Sequence, residues 1–355
     1  MSRFFSSKYD TLSAYVPGEQ PRDKKYIKLN TNESPYPPSE RVLRAAREAA
    51  ENLQLYSDPD CTVLINEMSK VFGVPRDKII MSNGSDEVLN FAFMAFCDES
   101  HPIVFPDITY GFYPVFARLN GIPYREIPLK DDFSIDYKDY LSIGANVVFA
   151  NPNAPTGIAL PICEIEEIVR SNPNNVVIID EAYVDFGAES AINLTEKYDN
   201  LLVVGTFSKS RSLAGGRLGF GIGSPELIRD LNTIRYSTNP YNVNRMTMAV
   251  GVATLADNAY YMDNCKKIIE TREYTKSRLA ELGFSVIPSS SNFLFAKSDS
   301  MNAEDVYLRL KDEGVLIRYF SKERIKDYVR ITIGTREEMD GMLSALKKIL
   351  QRDKK

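Results

Sequence analysis

Short apolar runs alternate with longer, helix-spaced stretches from residue 75 to residue 225. The runs at 78–82, 102–106, 124–129, 146–150, 175–179, 201–204 and 218–223 read as strands. Helices are predicted over 39–53 with Ser39 as cap, over 62–72, from Ser85 to Phe96, and over 162–171. Such alternation implies an α/β fold, with a mostly parallel sheet covered by helices on both faces. Right-handed crossovers then bring the loops after the strands to one edge. Beyond 225 the pattern changes. A long helical region is predicted over 245–282, then short strands at 284–287, 293–296, 315–319 and 329–333 with helices over 303–313 and 337–351. That is a smaller α+β unit. Residues 1–28 read as an arm.

The stretch after strand 201–204 carries the most chemistry. Thr206, Ser208 and Lys209 follow the apolar run, and Gly215-Gly216-Arg217 places an arginine eight residues after the lysine. A lysine beyond a buried strand sits where open α/β sheets bind ligands. Its amine can form a Schiff base with a carbonyl. Two hydroxyls and an arginine with no intervening carboxylate suit an anion. An aldehyde that carries a phosphate would use both features. Most lysines are solvated surface groups; these neighbours set Lys209 apart.

Four other loops fall on the same edge. Gly84-Ser85-Asp86 turns from a strand into a helix, which offers free N–H groups to an anion or holds an ordinary cap. Tyr110 lies in an aromatic loop that could stack on a flat ligand, while Phe112 and Tyr113 read as core. Asn151-Pro152-Asn153-Ala154-Pro155-Thr156-Gly157 is a rigid loop after a strand. Asp180, straight after a fully buried strand, needs a cation or donors, because an unpaired buried carboxylate costs several kcal/mol.

Composition narrows the chemistry. With 355 residues, 44% of them hydrophobic, the chain can bury about two domains' worth of core. Its net charge of −5 is spread in mixed sign, and no basic run or nucleic-acid motif occurs. The start Met1-Ser2-Arg3-Phe4-Phe5 lacks the apolar core of a signal peptide, and no run is long enough to span a membrane, so a cytoplasmic location is expected. The four cysteines, Cys61, Cys97, Cys163 and Cys265, are scattered and expected to be packed free thiols. His101 is the single histidine and reads as a surface residue, which removes Ser-His-Asp triads and His-rich zinc sites. No metal is expected.

Over nearly its whole length the chain resembles the fold-type I pyridoxal-phosphate aminotransferases, and within them the histidinol-phosphate branch. The carrying residues are Asn30-Thr31-Asn32-Glu33-Ser34-Pro35-Tyr36, Gly84-Ser85-Asp86-Glu87, the 151–157 loop, Asp180-Glu181-Ala182-Tyr183, Thr206-Phe207-Ser208-Lys209 with Arg217, Pro240-Tyr241-Asn242-Val243-Asn244 and Val329-Arg330-Ile331-Thr332-Ile333-Gly334. The resemblance implies a seven-stranded large domain at 36–245 that binds pyridoxal 5'-phosphate and a connecting helical region at 246–282. It also implies a small domain at 283–355, completed by an arm at 1–35 that acts as a lid.

It implies roles as well. Lys209 would hold the cofactor as an aldimine and shuttle the proton, with Asp180 on the pyridine nitrogen and Tyr183 on the phenolate oxygen. Tyr110 would stack on the ring. Ser85, Asp86, Thr206, Ser208 and Arg217 would hold the phosphate, joined by Tyr56 from the second subunit of a homodimer. Many relatives carry asparagine where this chain has Ala154, so either Asn153 substitutes for it or Tyr183 holds the oxygen alone. Tyr15, Asn32, Tyr241, Asn242, Arg318 and Arg330 would bind substrate. The implied reaction moves an amino group between L-histidinol phosphate and 2-oxoglutarate. Aromatic or broad-range amino-acid transamination and decarboxylation of threonine phosphate are the competing enzyme readings. A pyridoxal-binding regulator would need an attached DNA-binding domain, for which this chain is expected to have no room.

Overall fold

The computed structural model describes residues 2–10, 12, 14, 15 and 17–352. Strand β1 (Ile27–Lys28) is followed by helices α1 (Glu40–Ala50) and α2 (Thr62–Phe72). Then come β2 (Ile79–Ser82), α3 (Ser85–Phe96), β3 (Ile103–Pro106), α4 (Tyr113–Asn120), β4 (Tyr124–Ile127) and β5 (Asn146–Ala150). The chain continues through α5 (Ile162–Ser171), β6 (Val177–Asp180), β7 (Leu201–Thr206), β8 (Gly219–Ile222) and α6 (Pro225–Thr238). Last are α7 (Arg245–Ala256), α8 (Asn258–Glu281), β9 (Phe284–Val286), β10 (Phe293–Ser298), α9 (Ala303–Asp312), β11 (Val315–Leu316), β12 (Arg318–Tyr319), β13 (Val329–Thr332) and α10 (Arg336–Arg352).

The large sheet has seven strands in the order β2-β8-β7-β6-β5-β3-β4, with only β8 antiparallel to its neighbours. Its central strands are buried on both faces, and that is why they are apolar throughout and not alternating. Each buried Val or Leu there adds roughly 1.5–3 kcal/mol of hydrophobic stabilisation. One face packs on Ile165, Ile168 and Val169 of α5, the other on Leu89, Phe93 and Leu231 from α3 and α6. The second sheet runs β12-β13-β10-β9, and its core includes α9 and α10. Among the described residues no helix is long and apolar enough to cross a membrane.

The arm is tied to the small domain. Ile27 and Lys28 pair in parallel with Val315 and Leu316, and Leu29 is buried in the small-domain core. The expected 315–319 strand splits at Ile317: β11 pairs with the arm and β12 turns to pair with β13. The 245–282 helical region also breaks, at Asp257. There Asp257 accepts hydrogen bonds from Ser39 Oγ (2.6 Å) and faces Arg41 Nε (2.8 Å). Ser39 sits at the N-cap of α1 as expected, but its hydroxyl serves that tie and not the helix N–H groups. Helices α4 and α6 are additions to the predicted elements. The start of α6 was legible: Ser224 caps Leu227 N–H and Pro225 occupies the first turn.

Candidate active site

Two adjoining cavities, of about 380 and 400 Å³, open at the carboxyl edge of the large sheet. Both are lined by Thr31, Tyr110, Ala154, Tyr183 and Lys209. One continues toward Asp180, Ser208 and Arg217; the other toward Tyr15, Arg318 and Arg330.

The Asp180 cavity is built from strand ends. Thr206 closes β7, and its hydroxyl oxygen accepts from Ser208 N–H (3.1 Å), which turns the chain so that Lys209 enters the site. Leu213 N–H donates back to Phe207 O (3.0 Å) and closes the loop. Lys209 Nζ donates to Thr31 O (3.2 Å) and lies 5.9 Å from the centre of the Tyr183 ring. Arg217 has a positive φ of 49° and approaches Gly84, itself at φ 81°. The positive φ at Gly84 favours glycine, and a Cβ there would lie 2.5 Å from Arg217 Nη2, so a side chain would displace the guanidinium. A Cβ at Gly219 would strike Ser85 N at 2.3 Å, and this close approach seats the start of α3 against β8.

Asp180 is 4% exposed, the last residue of β6. Burial pushes its pKa up to about 6, against the pull of hydrogen bonds from Tyr113 Oη (3.1 Å) and Ala182 N–H (3.1 Å). Tyr113, expected only as core, thus supplies the donor that a buried carboxylate demands; that demand was the signal that could have found it. Tyr110 donates to Asp86 Oδ1 (2.7 Å), and Arg217 Nη2 lies 3.2 Å from Asp86 Oδ2. The Asp86 side chain therefore organises the arginine and the aromatic ring, beyond the backbone role expected of it. Ser85 opens α3 on the cavity wall.

The structure does not bring every expected residue here. Asn153 is buried, but its amide donates to Ile108 O (2.9 Å) and Thr156 Oγ1 (3.2 Å), and its Oδ1 accepts from Thr109 (2.9 Å). It holds the loop together and Ala154 lines the cavities in its place. Tyr56, Tyr241 and Asn242 also stay outside the cavities of this chain. Tyr56 is 79% exposed and stacks on Tyr241 at 4.5 Å. Asn242 donates to Glu87 Oε2 (2.5 Å) at the start of α3.

The Arg330 cavity joins segments far apart in the chain. Arg318 and Arg330 are opposed across β12 and β13. Arg330 Nη2 donates to Asn30 O (2.9 Å), and its guanidinium lies over Phe293 and Phe320. Tyr15 packs on Phe112 with ring centres 4.4 Å apart and planes tilted by 37°, and lines the wall. Asn32, at φ 57° and 1% exposed, donates through Nδ2 to Tyr183 Oη (3.0 Å). Glu33 is held below the usual carboxylate range: burial raises it, but hydrogen bonds from Lys28 and Thr31 outweigh burial. His101 is exposed beside Asp98, and Cys163 is exposed while the other three cysteines are buried.

The residues of the Asp180 cavity fit a phosphorylated pyridine aldehyde. Among the described residues Ser208 Oγ, buried on the cavity wall, has no partner, an unspent donor in the cavity that Arg217 and the first turn of α3 also line. A buried carboxylate, an amine and an aromatic ring complete the set.

A family model described as aminotransferase class I and II matches residues 24–346. The chain is 51% identical over 353 residues to a histidinol-phosphate aminotransferase of Brachyspira hyodysenteriae (strain ATCC 49526 / WA1), with 99% of this chain and 100% of the relative covered. It is 50% identical over 351 residues to one of Marinomonas sp. (strain MWYL1), which covers 98% of this chain and 99% of the relative. Among solved structures it resembles histidinol-phosphate aminotransferase from Sinorhizobium meliloti in complex with pyridoxal-5'-phosphate, with a TM-score of 0.90, 24% identity and 99% coverage of each chain.

Proposed function

The chain belongs to the class I and II aminotransferases, and from that premise we propose that it moves an amino group between L-histidinol phosphate and 2-oxoglutarate, with pyridoxal 5'-phosphate in the Asp180 cavity. One observation carries the reading: a single lysine, Lys209, lines both the cavity suited to a phosphorylated cofactor and the cavity bearing two arginines. The full-length relatives named for this reaction support the choice of amino donor.

When bound, the cofactor supplies an electron sink for charge that develops at the substrate's amine-bearing carbon. The protein's own groups do the rest. Arg217, Ser208, Thr206 and the first N–H groups of α3 hold the phosphate. Asp180 is the carboxylate that would pair with the ring nitrogen and keep it protonated, and that cation would in turn draw the Asp180 pKa down from about 6. Tyr183 donates to the ring oxygen. Lys209 Nζ takes the proton from the substrate carbon and returns it on the other side of the exchange. Tyr110 covers the ring, held by Asp86.

Arg318 and Arg330 would bind the phosphate of histidinol phosphate and, in the second half of the cycle, the carboxylates of 2-oxoglutarate. Both ligands are multiply charged anions with planar or trigonal oxygen sets that guanidinium groups match. Tyr15 and Asn32 border the same space. We place Tyr56, with Tyr241 and Asn242, at a homodimer contact, where Tyr56 reaches the phosphate of the other subunit. Leu53 and Leu55, each 56% exposed, and the stacked Tyr56–Tyr241 pair leave an apolar surface that a second copy would cover.

The test is a spectrum. Cofactor-loaded protein is mixed with histidinol phosphate, phenylalanine or threonine phosphate, without a keto acid. Conversion of the visible band fastest by far with histidinol phosphate is expected. Equal conversion by phenylalanine would make the enzyme a broad aminotransferase, and carbon dioxide release from threonine phosphate would make it a decarboxylase.

A further inference from the structure

Three polar residues from three distant parts of the chain meet behind the Tyr183 hydroxyl. Asn32 N–H donates to Thr332 Oγ1 (3.0 Å). Thr332 Oγ1 donates to Asn32 Oδ1 (2.9 Å). Asn32 Nδ2 donates to Tyr183 Oη (3.0 Å). Asn292 Nδ2, just before β10, donates to Asn32 O (3.0 Å) and pins the other side of the same residue's backbone. Asn32, Asn292 and Thr332 are buried.

Each bond here fixes the direction of the next. A threonine hydroxyl has one proton. Its oxygen already accepts from the Asn32 backbone, so that proton goes to Asn32 Oδ1. The Asn32 amide is thereby oriented with Oδ1 toward Thr332 and Nδ2 toward Tyr183. Tyr183 Oη receives a donor, so its own single proton must point elsewhere. Among the described residues none accepts it, and Tyr183 lines both cavities. Asn32 keeps this pose in the left-handed region, which asparagine tolerates better than most residues.

We propose that Thr332 and Asn32 are positioning residues that lock the Tyr183 proton into the cavity, toward the oxygen of the bound cofactor. This rests on the cofactor reading above and extends it. It also accounts for Ala154. Where this chain has no amide beside the ring oxygen, and Asn153 is turned away, an amide acts at one remove through Tyr183. Thr332 stands two residues after Arg330 on β13, so the strand that carries the anion-binding arginine also sets the hydroxyl direction.

The cofactor's visible chromophore reports that direction. A donor on its ring oxygen stabilises negative charge there and lowers the pH at which the chromophore loses its proton. Lys209 and Arg330 act on Tyr183, and Asp180, Asp86, Glu33, Tyr110 and Arg217 line the same cavity; none of the variants below replaces any of them. The measurement is a pH titration of the visible band in cofactor-loaded Tyr183→Phe, Thr332→Val, Thr332→Ser and the Tyr183→Phe/Thr332→Val double variant, with melting curves of each. Tyr183→Phe is expected to raise the midpoint by on the order of tenfold in proton affinity, and Thr332→Val by roughly two- to fivefold. Thr332→Ser, which keeps the hydroxyl, should restore the original midpoint. The double variant should match Tyr183→Phe alone. A Thr332→Val midpoint equal to the original, or an equal further rise in the double variant, overturns the positioning role while leaving the cofactor reading intact. Failure of the unmodified chain to form any visible band with pyridoxal 5'-phosphate overturns both.

Discussion

The two halves of the candidate active site are assembled in opposite ways. The Asp180 half is local: β6, β7 and the start of α3 each deliver side chains within a few residues of a strand end, on one sheet of fixed register. The Arg330 half is long-range. Its residues come from the arm, from the 105–114 segment that ends β3, and from β12 and β13, and its bonds span about three hundred positions, as from Asn32 to Thr332 and from Arg330 to Asn30. The first half belongs to the sheet edge where open α/β folds bind ligands. The second exists only once the arm has crossed to the small domain. Cofactor and substrate recognition are therefore separable, and the lysine is where they meet.

The largest effect should come from that meeting point. Lys209→Ala is expected to reduce kcat by about 10⁴-fold or more, since it removes the proton carrier for any reaction the site performs. Persisting turnover in a stopped-flow assay would break the division at its hinge. Next, paired arginine variants should separate the halves. Arg330→Gln should raise substrate KM about 10- to 100-fold with cofactor affinity unchanged, and Arg217→Gln should do the converse; one charged hydrogen-bond pair is worth ~1.5–3 kcal/mol. Cofactor affinity by equilibrium dialysis and KM from initial rates check both, and equal cross-effects would show that the halves act as one.

The smallest effect compares neighbours within the local half. Asp180 faces the cavity, whereas Glu181 turns to Ser190 Oγ (2.6 Å) and Ala191 N–H (2.5 Å). Burial pushes Glu181 up to about 8. Its carboxyl then keeps its proton in the folded chain while the unfolded chain loses it near pH 4.5. Stability from this group is thus full below that pH, falls as pH rises, and levels off above about 8. Glu181→Gln should match the original melting temperature near pH 4.5 and exceed it at pH 8. A constant difference across that range would place the shift elsewhere.

The local half was also the legible one. Apolar runs that end in Asp180 or Thr206-Phe207-Ser208-Lys209 announce both the strand and the chemistry at its end, because the two are contiguous. The break at Asp257 and the switch at Ile317 were not, since each answers to a partner far away: Ser39 and Arg41 for the first, Ile27 and Lys28 for the second. Asn153 misled because a motif states which residues share a loop and not which of them points inward. Thr332 lay inside a motif read for Arg330, and nothing in it pointed to a role for the hydroxyl. A lone threonine in a strand looks like strand propensity, and only the approach of Asn32 gives its hydroxyl a task.

Residues 27–32 contribute no group of unusual reactivity, yet they supply a strand to the small domain, a core leucine and the carbonyl that receives Lys209. A chain trimmed at residue 33 would keep the lysine, the arginines and every strand of the large sheet. It would still lack one wall of its substrate site and the partner of β11. For anyone who shortens this protein for expression or fuses a tag ahead of it, the residues from Tyr15 to Asn32 are working parts, and a cut belongs upstream of Tyr15.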